Sequence, residues 1–430
     1  MNPPLAAVVE DADAANRRAR ERALSAVAET PVEVTGLVNY SSAGRLLVVG
    51  DEQDEVEKAV RAAAPLSPAA LVIGHGREAL AGVTTWWCER DAVRLSGWLG
   101  DFRLRLEGQG EGEERFDLVL DLTGSPLIPV DMPPPGYLVP GPGEDGVDHA
   151  LLELRDLVGE FEKPRYFNYD PNICAHGMKG ATACRRCIDA CPAGAISSLV
   201  ERVAVEPFLC QGGGACATAC PTGAMTYAYP PVGDTLTRVR RLLAAYLDAG
   251  GATPVLVIHD AASGAERVER LLAEPSAAAG HLLPLMVEEL ASLGLDAWLS
   301  ALAYGARAVR LMDTSQVPDR SRRELAEQIG FGRAILSGLG YPEHALGWLE
   351  EDAASSASRV MPEIPPARHA SVGGKRQILF AAVDHLFASA ARAKPVVSLP
   401  TGAPFGAAAV DEKACTLCMA CVTVCPGKAL

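Results

Sequence analysis

Cysteine is the residue whose number and spacing in this chain point most directly to chemistry. Eleven of the 12 cysteines fall in three groups, within 174–191, 210–220 and 415–425, and each group ends in Cys-Pro. Closely spaced thiolates of this kind bind iron–sulfur clusters. Zinc sites favour paired C-x2-C motifs without Cys-Pro endings, and structural disulfides need an oxidising compartment. The cysteine pattern therefore predicts iron–sulfur chemistry.

The third group has the complete spacing of a bacterial ferredoxin run. Its members are Cys415, Cys418, Cys421 and Cys425, followed by Pro426. In the C-x2-C-x2-C-x3-C-P run the fourth thiolate normally binds a second cluster. The sequence stops five residues after that thiolate. We therefore expect a truncated sequence, or a module that another polypeptide or a second copy completes.

The second group lacks one ligand of the same run. Cys210, Cys216 and Cys220 stand at its first, third and fourth positions, and Gly213 stands at the second. Three interpretations stay open for this site. The first is a [3Fe-4S] cluster, the second is a four-iron cluster with water or a substitute ligand at one corner, and the third is that the site holds no cluster.

The first group has its missing position further upstream. Cys184, Cys187 and Cys191 fill the last three positions of the run, and Cys174 is the candidate for the first. The longer loop between Cys174 and Cys184 contains Gly177 and Gly180. Because glycine tolerates positive φ values, we predict that this loop folds back to bring Cys174 to the cluster.

The first two groups form one predicted module. Residues 192–196 and 221–225, which follow the two Cys-Pro pairs, match position by position. Two neighbouring runs predict a βαβ-βαβ dicluster ferredoxin domain, over roughly 165–230, that exchanges ligands between its halves. The predicted ligands of one [4Fe-4S] cluster are Cys174, Cys184, Cys187 and Cys220. The predicted ligands of the second cluster are Cys191, Cys210 and Cys216.

A degenerate Rossmann-like α/β domain is predicted over 36–143, after a charged helix within 1–35. Residues 45–73 read as strand, helix and strand, which is a βαβ unit. A dinucleotide loop needs several glycines after its first strand, whereas here Gly50 is followed by acidic residues. Because acidic side chains repel phosphates, neither flavin nor NAD is expected as a cofactor.

The rest of the chain continues a multidomain fold of the α/β and α+β classes. An amphipathic helix over 148–161 leads into the dicluster module. Strand and helix patterns after the module predict a parallel α/β domain, and Glu288 and Glu289 in it are expected at a solvated helix start. The predicted divisions are 144–232 for the module with its leading helix, 233–345 for the α/β domain without cysteines, 346–394 for a linker and helix, and 395–430 for the partial ferredoxin module.

Charge and hydropathy limit the expected partners and location. The net charge of −15 at pH 7 argues against a nucleic-acid surface. No apolar run reaches the roughly 18 to 20 residues of a membrane helix, and the N terminus has no secretory signal pattern. We therefore expect a cytoplasmic protein with no membrane partner. Cys88, which lies outside the three groups, is expected to be a small buried hydrophobe.

These motifs resemble a group of bacterial multidomain 4Fe-4S dicluster ferredoxin-type proteins. The residues that carry the resemblance are Cys174-Ala175-His176, the run from Cys184 to Pro192, and 402–406 (GAPFG) before the last run. The resemblance implies electron transfer with redox partner proteins, such as a formate dehydrogenase or a similar oxidoreductase. Residues 254–312 are also similar to the delta subunit of methyl-viologen-reducing hydrogenase. That likeness implies a docking domain, without a cluster because the cysteines are absent.

The predicted function is that of an electron carrier whose [4Fe-4S] clusters relay single electrons between partner oxidoreductases. The sequence favours such a carrier over a stand-alone enzyme. Two alternatives stay open. One is a flavin- or nicotinamide-dependent oxidoreductase subunit that uses the clusters as an internal relay. The other is a cluster-bearing scaffold or maturation factor for a dehydrogenase.

Overall fold

The chain has a mixed α/β fold with parallel sheets, as its alternating strand and helix patterns predict. This computed structural model describes residues 5–28, 35–74, 79–108, 112–141, 145–178, 181–182, 184–273, 279–349, 360–370, 372–406 and 409–424. None of the helices in these ranges is long and apolar enough to cross a membrane.

A parallel sheet forms the centre of the N-terminal part. The elements of this part are α1 (Leu5–Ala28), β1 (Leu37–Ser42), β2 (Arg45–Gly50), α2 (Gln53–Ala62), β3 (Ser67–Ile73), β4 (Thr85–Cys88), β5 (Val93–Ser96), β6 (Phe102–Leu106), β7 (Glu114–Phe116), β8 (Leu118–Asp121), β9 (Tyr137–Leu138), α3 (Gly146–Asp156) and β10 (Gly159–Pro164). The parallel sheet has the order β4-β3-β2-β8-β9, and β5, β6 and β7 form an antiparallel sheet. Strand β2 is fully buried from Leu46 to Val49, since α2 and α3 cover one face and the antiparallel sheet covers the other.

The predicted helix over 148–161 is wrong at its C-terminal end. Helix α3 ends at Asp156, and the next residues form β10, which is antiparallel to β1. Gly159 breaks the helix with a φ of +130°. Tyr40 of β1 lies opposite Phe161 of β10, and aromatic cross-strand pairs stabilise such ladders. Pairing with a distant strand therefore overrides the local helical pattern.

The cysteine-rich part has the order strand, helix, strand in each of its two halves. Its elements are β11 (Phe167–Tyr169), β12 (Gly177–Met178), β13 (Ala181–Thr182), α4 (Arg186–Ala190), β14 (Ile196–Ser198), β15 (Val203–Val205), α5 (Ala215–Ala219) and β16 (Met225–Tyr227). Strand β11 pairs with β16 and β14 pairs with β15, both antiparallel. Helices α4 and α5 pack together. The two halves of the cysteine-rich part therefore lie against each other.

A second parallel sheet follows, with strands that alternate with helices as predicted. Its elements are α6 (Val232–Asp248), β17 (Val255–His259), α7 (Ser263–Ala273), β18 (Leu282–Met286), α8 (Leu295–Ala303), β19 (Ala308–Leu311), α9 (Asp319–Gly338) and β20 (Leu346–Trp348). The strand order is β18-β17-β19-β20, and all neighbours are parallel. Trp298 of α8 is fully buried in the core beside this sheet.

In the C-terminal residues that the structure describes, the helices are α10 (Lys375–Ser389) and α11 (Ala420–Val424). Helix α10 corresponds to the helix predicted after the linker, and it packs against α8. The side chains of α10 that are buried in the core are Ile378, Leu379, Ala382 and Leu386. Much of the predicted linker falls outside the described residues.

The expectation that both Glu288 and Glu289 are solvated at a helix start is wrong for Glu289. These residues precede a 3-10 turn, Leu290–Ser292, and α8 begins only at Leu295. Glu288 is exposed, whereas Glu289 is partly buried. Burial, followed by the negative charges of Asp260 and Glu288, raises the pKa of the Glu289 carboxyl to about 7.

The raised pKa of Glu289 makes folding stability depend on pH. A carboxyl whose pKa is higher in the folded chain stabilises the fold fully below its unfolded pKa and loses that contribution as pH rises through the folded pKa. We expect the wild-type unfolding free energy to fall by about 2 kcal/mol between pH 4.5 and 7 because of this group. Glu289→Gln should abolish that part of the decline in melting temperature. Glu269→Gln, at an exposed position of α7, is the control and should keep it. A Glu289→Gln profile parallel to wild type would contradict the prediction.

Candidate iron–sulfur site

Four of the predicted ligands line one cavity. Cys174, Cys184, Cys187 and Cys220 border one small cavity. Cys174 follows the short turn Pro171–Ile173, Cys187 lies in α4, and Cys220 follows the last residue of α5. The cavity therefore takes three thiols from the first cysteine group and one from the second.

Electrostatics in this first cavity favour an added positive charge. Burial, followed by the neighbouring Cys220, Cys184 and Cys174, raises the pKa of the Cys187 thiol to about 12. The Met225 backbone N–H lies 3.4 Å from Cys220 Sγ and donates to it. Bound iron would offset the repulsion among crowded thiolates, because the metal cation replaces the thiol protons and compensates the negative charge. The four thiols and the N–H donor therefore fit an iron–sulfur cluster.

Sequence reasoning missed the role of His176 in this loop. His176 is almost completely buried. Its Nδ1–H donates to the Cys184 carbonyl at 2.6 Å, and its Nε2 lies 2.7 Å from Ser198 Oγ. A neutral ring with Nδ1 protonated satisfies both contacts, with the serine hydroxyl as donor. His176 thus fixes the backbone at Cys184, and the only sequence signal was its place in the Cys-Ala-His motif.

The predicted role of the loop glycines is wrong for Gly177. Gly177 does not have a positive φ. A side chain there would instead collide with the backbone of Val200 and Glu201. Close approach of two backbones therefore requires glycine at this position. Gly180 lies outside the described residues.

The other three predicted ligands line a second cavity. Cys191, Cys210 and Cys216 border a small cavity, together with Gly212–Gly214. Burial raises the pKa of the Cys210 and Cys216 thiols, and the nearby Cys191 adds to the effect. Three converging thiols fit an iron–sulfur cluster at three corners.

A lysine outside the cysteine-rich part supports the second cavity. Lys163 of β10 donates from Nζ to the carbonyls of Cys210 and Phe208, each at 2.8 Å, and its ammonium lies over the Tyr40 ring. Burial lowers the pKa of Lys163 to about 8, whereas the negative charges of Cys210 and Glu206 raise it. A cation here lowers the cost of negative charge on the buried thiolates. Sequence reasoning did not single out Lys163, because its contact depends on the β1–β10 pair.

Gly213, the position that lacks a cysteine, has little room for a side chain. A Cβ on Gly213 would lie 2.8 Å from Pro192 Cγ and 3.0 Å from Met132 Sδ. The contact with Pro192 is shorter than real Cβ contacts, so a cysteine at 213 would require the proline ring to shift and the Met132 side chain to give slightly. Side chains of neighbouring residues therefore occupy the space that the missing cysteine side chain would need.

The third cysteine group is separate from both cavities. Cys415, Cys418 and Cys421 are exposed, and Cys425 lies outside the described residues. The Ala420 N–H, followed by the Thr416 hydroxyl, lowers the pKa of the Cys418 thiol. This segment thus presents thiols to solvent near the start of α11.

The spaces between the cysteines differ from a site for one metal ion. In the ranges that the structure describes, no group of three or more His, Cys, Asp or Glu side chains is arranged to hold a single ion. A zinc ion needs its ligands drawn to about 2.0–2.3 Å from one point. Thiols that border one cavity but are not arranged around a single ion position fit a multinuclear cluster better.

A family comparison supports iron–sulfur binding at the C terminus. Residues 408–430 match the 4Fe-4S binding domain. That segment is ferredoxin-like. The match includes Cys425 and the other three cysteines of the third group, and it does not extend to the first two groups or to 254–312. No curated protein matches the chain. The similarity of 254–312 to a hydrogenase delta subunit stays a prediction.

The loop after β2 is held by a contact within the protein. The Asp51 carboxylate accepts a hydrogen bond of 2.8 Å from the Gly124 N–H. A Cβ at Gly50 would lie 2.7 Å from Val56 of α2, so this glycine allows the helix to pack close to the strand. An acidic side chain thus stands between the ends of β2 and β8, at the sheet edge where a Rossmann fold binds its pyrophosphate.

Proposed function

We propose that the chain is an iron–sulfur electron-transfer protein that relays single electrons between partner oxidoreductases. The observation that carries the proposal is the crosswise distribution of thiols between the two cavities. Cys220 of the second group joins the first cavity, and Cys191 of the first group joins the second cavity. Ligand exchange between adjacent runs is the arrangement of two-cluster ferredoxins.

The residues around the cavities would hold two clusters close together and would shield them from water. Helix α5 has Cys216 within it and Cys220 directly after it, so one short helix serves both cavities. The negative charge of Cys187 in the first cavity raises the pKa of Cys216 in the second, as expected for neighbouring sites. The surrounding core includes Phe167, Ile196 and Met225 and limits access of water. A bound iron–sulfur cluster supplies a one-electron carrier whose potential depends on charge, hydrogen bonds and exposure.

The C-terminal run supplies a third, exposed site in this proposal. Its thiols at 415, 418 and 421 are open to solvent, so a cluster there would meet a partner protein directly. The net charge of −15 favours redox partners with basic docking surfaces. From the resemblance of its motifs, we propose a formate dehydrogenase or a similar oxidoreductase as one partner.

A reversible redox cycle tests the relay against the scaffold alternative. The reconstituted chain would be reduced with dithionite and reoxidised with ferricyanide under anaerobic conditions, with iron and sulfide measured after each cycle. We expect reversible bleaching of the visible absorbance with iron and sulfide retained. Loss of clusters in one cycle, or their rapid transfer to an apo-ferredoxin, would overturn the relay and favour a scaffold or maturation factor.

An oxidoreductase that converts a small molecule is the second candidate, because a largely apolar cavity with a few polar side chains lies behind α5. This cavity of about 230 Å³ is bordered by Thr218, Tyr227, Asp296 and Lys375. Asp296 is buried, which raises the pKa of its carboxyl, and the Lys375 ammonium opposes that shift. Lys375 Nζ also donates to the Ala217 and Thr218 carbonyls at 2.7 Å. Native mass spectrometry of the purified chain checks this candidate. A bound small molecule that Asp296→Asn loses would favour the enzyme, and its absence would favour the carrier.

A further inference from the structure

A surface groove between β1, β11 and the β14–β15 hairpin shares lining residues with both cavities. Phe167 of β11 and Val205 of β15 line the groove and also line the second cavity. Tyr169 of β11 and Val203 of β15 line the groove and also line the first cavity. Side chains of β11 and β15 therefore stand between the groove and both cysteine sites.

Tyr169 connects the groove to a predicted ligand of the first cluster. Its hydroxyl is hydrogen-bonded to the Cys174 sulfur, and it accepts a hydrogen bond of 3.3 Å from the Val203 backbone N–H. Electron transfer slows steeply with distance. A partner that sits in the groove is therefore placed to exchange an electron with a cluster in either cavity.

The groove presents large apolar side chains to solvent. Leu37 of β1 is 57% exposed, and Leu199 at the tip of the β14–β15 hairpin is 50% exposed. Both side chains line the groove. Apolar side chains that lie exposed together beside polar ones are typical of a surface that binds another protein.

The hairpin tip that carries Leu199 is held in one conformation. Val200, the next residue, has a φ of +68°, which a β-branched residue rarely adopts. The Val200 N–H donates to Ser198 Oγ at 3.3 Å, and Ser198 Oγ also contacts His176 in the loop of the first cysteine group. The tip is thus fixed to the first cysteine site, so it loses little conformational entropy when a partner binds.

Two arginines give the groove a positive charge. Arg165 and Arg202 are exposed and line it, whereas Glu201 and Glu206 are close in sequence but do not line it. The Arg165 guanidinium lies over the Phe167 ring, 4.9 Å from its centroid. In the part of the chain that the structure describes, neither guanidinium forms an ion pair. Guanidinium groups at such positions can donate paired hydrogen bonds to carboxylates of a partner.

We propose that this groove docks a small redox protein whose contact surface has an apolar centre and an acidic rim. The inference deepens the proposed function and rests on it, since it requires clusters behind the groove. One electron passes in the contact and no bond forms or breaks, so a cluster of the chain gains the electron that the partner loses, or the reverse. The partner's carboxylates pair with Arg165 and Arg202, and its apolar centre covers Leu37 and Leu199.

The proposed groove partner has the opposite charge from the partners that the whole chain attracts. The net charge of −15 favours basic proteins, whereas the arginines of the groove favour acidic ones. Exposed charges act mainly within about 10 Å of one another at 0.1 M salt. The two arginines therefore dominate at the contact itself, and the relay has separate docking surfaces for two kinds of partner.

Electron exchange with an acidic [2Fe-2S] ferredoxin tests the charge of the groove. The reconstituted full-length chain and this carrier would be mixed by stopped flow, in the direction that their two reduction potentials permit. We expect Arg165→Glu combined with Arg202→Glu to lower the second-order rate constant about tenfold or more at low ionic strength, and the loss to shrink as salt is added. Arg18→Glu combined with Arg22→Glu is the matched control. It makes the same change in net charge at exposed positions of α1 outside the groove, and it should slow the exchange much less.

Leu199→Ser tests the apolar contact, and Leu152→Ser is its matched control. Leu152 lies in α3, is 54% exposed and does not line the groove. We expect Leu199→Ser to weaken binding of the ferredoxin by about fivefold or more, measured by calorimetry, and Leu152→Ser to leave it unchanged. The substituted side chains are exposed, so every variant should keep the iron content and melting temperature of the wild type.

Three results would overturn the inference. The first is a charge-reversed groove that exchanges electrons as fast as the α1 control. The second is that the groove variants slow exchange with a basic carrier, cytochrome c, and leave exchange with the acidic ferredoxin unchanged. The third is a wild-type dimer in sedimentation that Leu199→Ser dissociates, which would assign the groove to a second copy of the chain. A wild type that holds no clusters, or loses them on reduction with dithionite, would instead overturn the proposed function, so the two failures are distinct.

Discussion

Cys187→Ala should lose between about one and four irons per chain, whereas Cys88→Ser should keep the wild-type iron content. Cys187 lies among three other thiols in the first cavity, and its removal leaves that cluster with three protein ligands. The three thiols that remain are partly or fully buried, and they lose metal that offsets their charge. We therefore also expect a lower melting temperature for the reconstituted variant. Iron and sulfide analysis after anaerobic reconstitution, with melting followed by circular dichroism, measures both effects.

Cys88 is a suitable control because it is also a free cysteine, and it is more deeply buried than Cys187. It is the last residue of β4 in the N-terminal parallel sheet. It is distant in sequence from the cysteines of both cavities, and it belongs to a different hydrophobic core. Burial raises the pKa of its thiol, which keeps it protonated and unreactive. Its burial agrees with the predicted role as a small hydrophobe. Equal iron in Cys187→Ala, Cys88→Ser and wild type would contradict the assignment of the first cavity.

Gly214→Ala should lower the unfolding free energy by about 3 kcal/mol and should also release iron from the second cavity. Gly214 has a φ of +72° directly before α5, a region that costs an alanine about 1 kcal/mol or more. Its Cβ would also lie 2.6 Å from Ser292 Cα and 2.7 Å from the Ala291 carbonyl carbon. The turn Leu290–Ser292 packs against this loop, so the loop next to Cys216 must move. Anaerobic denaturation and iron analysis measure the two effects.

Gly233→Ala is the control for Gly214→Ala. Gly233 lies in the first turn of α6, and no atom lies within 4 Å of a Cβ built there. Alanine is favoured over glycine in a helix, so this variant should be as stable as wild type or slightly more so. A Gly214→Ala chain with wild-type stability and iron content would show that the loop before α5 is not held by the 290–292 turn.

The grouping of the cysteines was predictable from sequence because short spacings limit what a chain can do. The run from 184 to 191 and the run from 210 to 220 fix which thiols can face one cluster, and Cys-Pro endings mark where the fourth thiol leaves. The strand, helix and strand over 45–73 were predictable for a similar reason, since they are local and strongly apolar. In each case the residues that form the pattern lie within a few tens of positions of one another.

The supporting residues were not predictable, because their contacts join distant segments. Lys163 reaches Cys210 only through the β1–β10 pair, which sequence reasoning replaced with a longer helix. Met132 reaches Gly213 across some 80 positions and carries no motif of its own. Glu289 is partly buried because its turn packs against the cysteine-rich part, not because of its neighbours in sequence. Tertiary packing decides each of these cases.

Iron and sulfide analysis with low-temperature EPR tests the central claim most directly, if the exposed third group is first removed. With Cys415→Ser, Cys418→Ser and Cys421→Ser, the third group keeps one cysteine, so the clusters that the variant binds are assigned to the first two groups. After anaerobic reconstitution and reduction with dithionite, the proposed relay predicts about seven or eight irons per chain and the magnetic coupling of two neighbouring reduced clusters. Iron below about one per chain, or one reduced cluster without coupling, would contradict the claim that the two cavities form an electron relay.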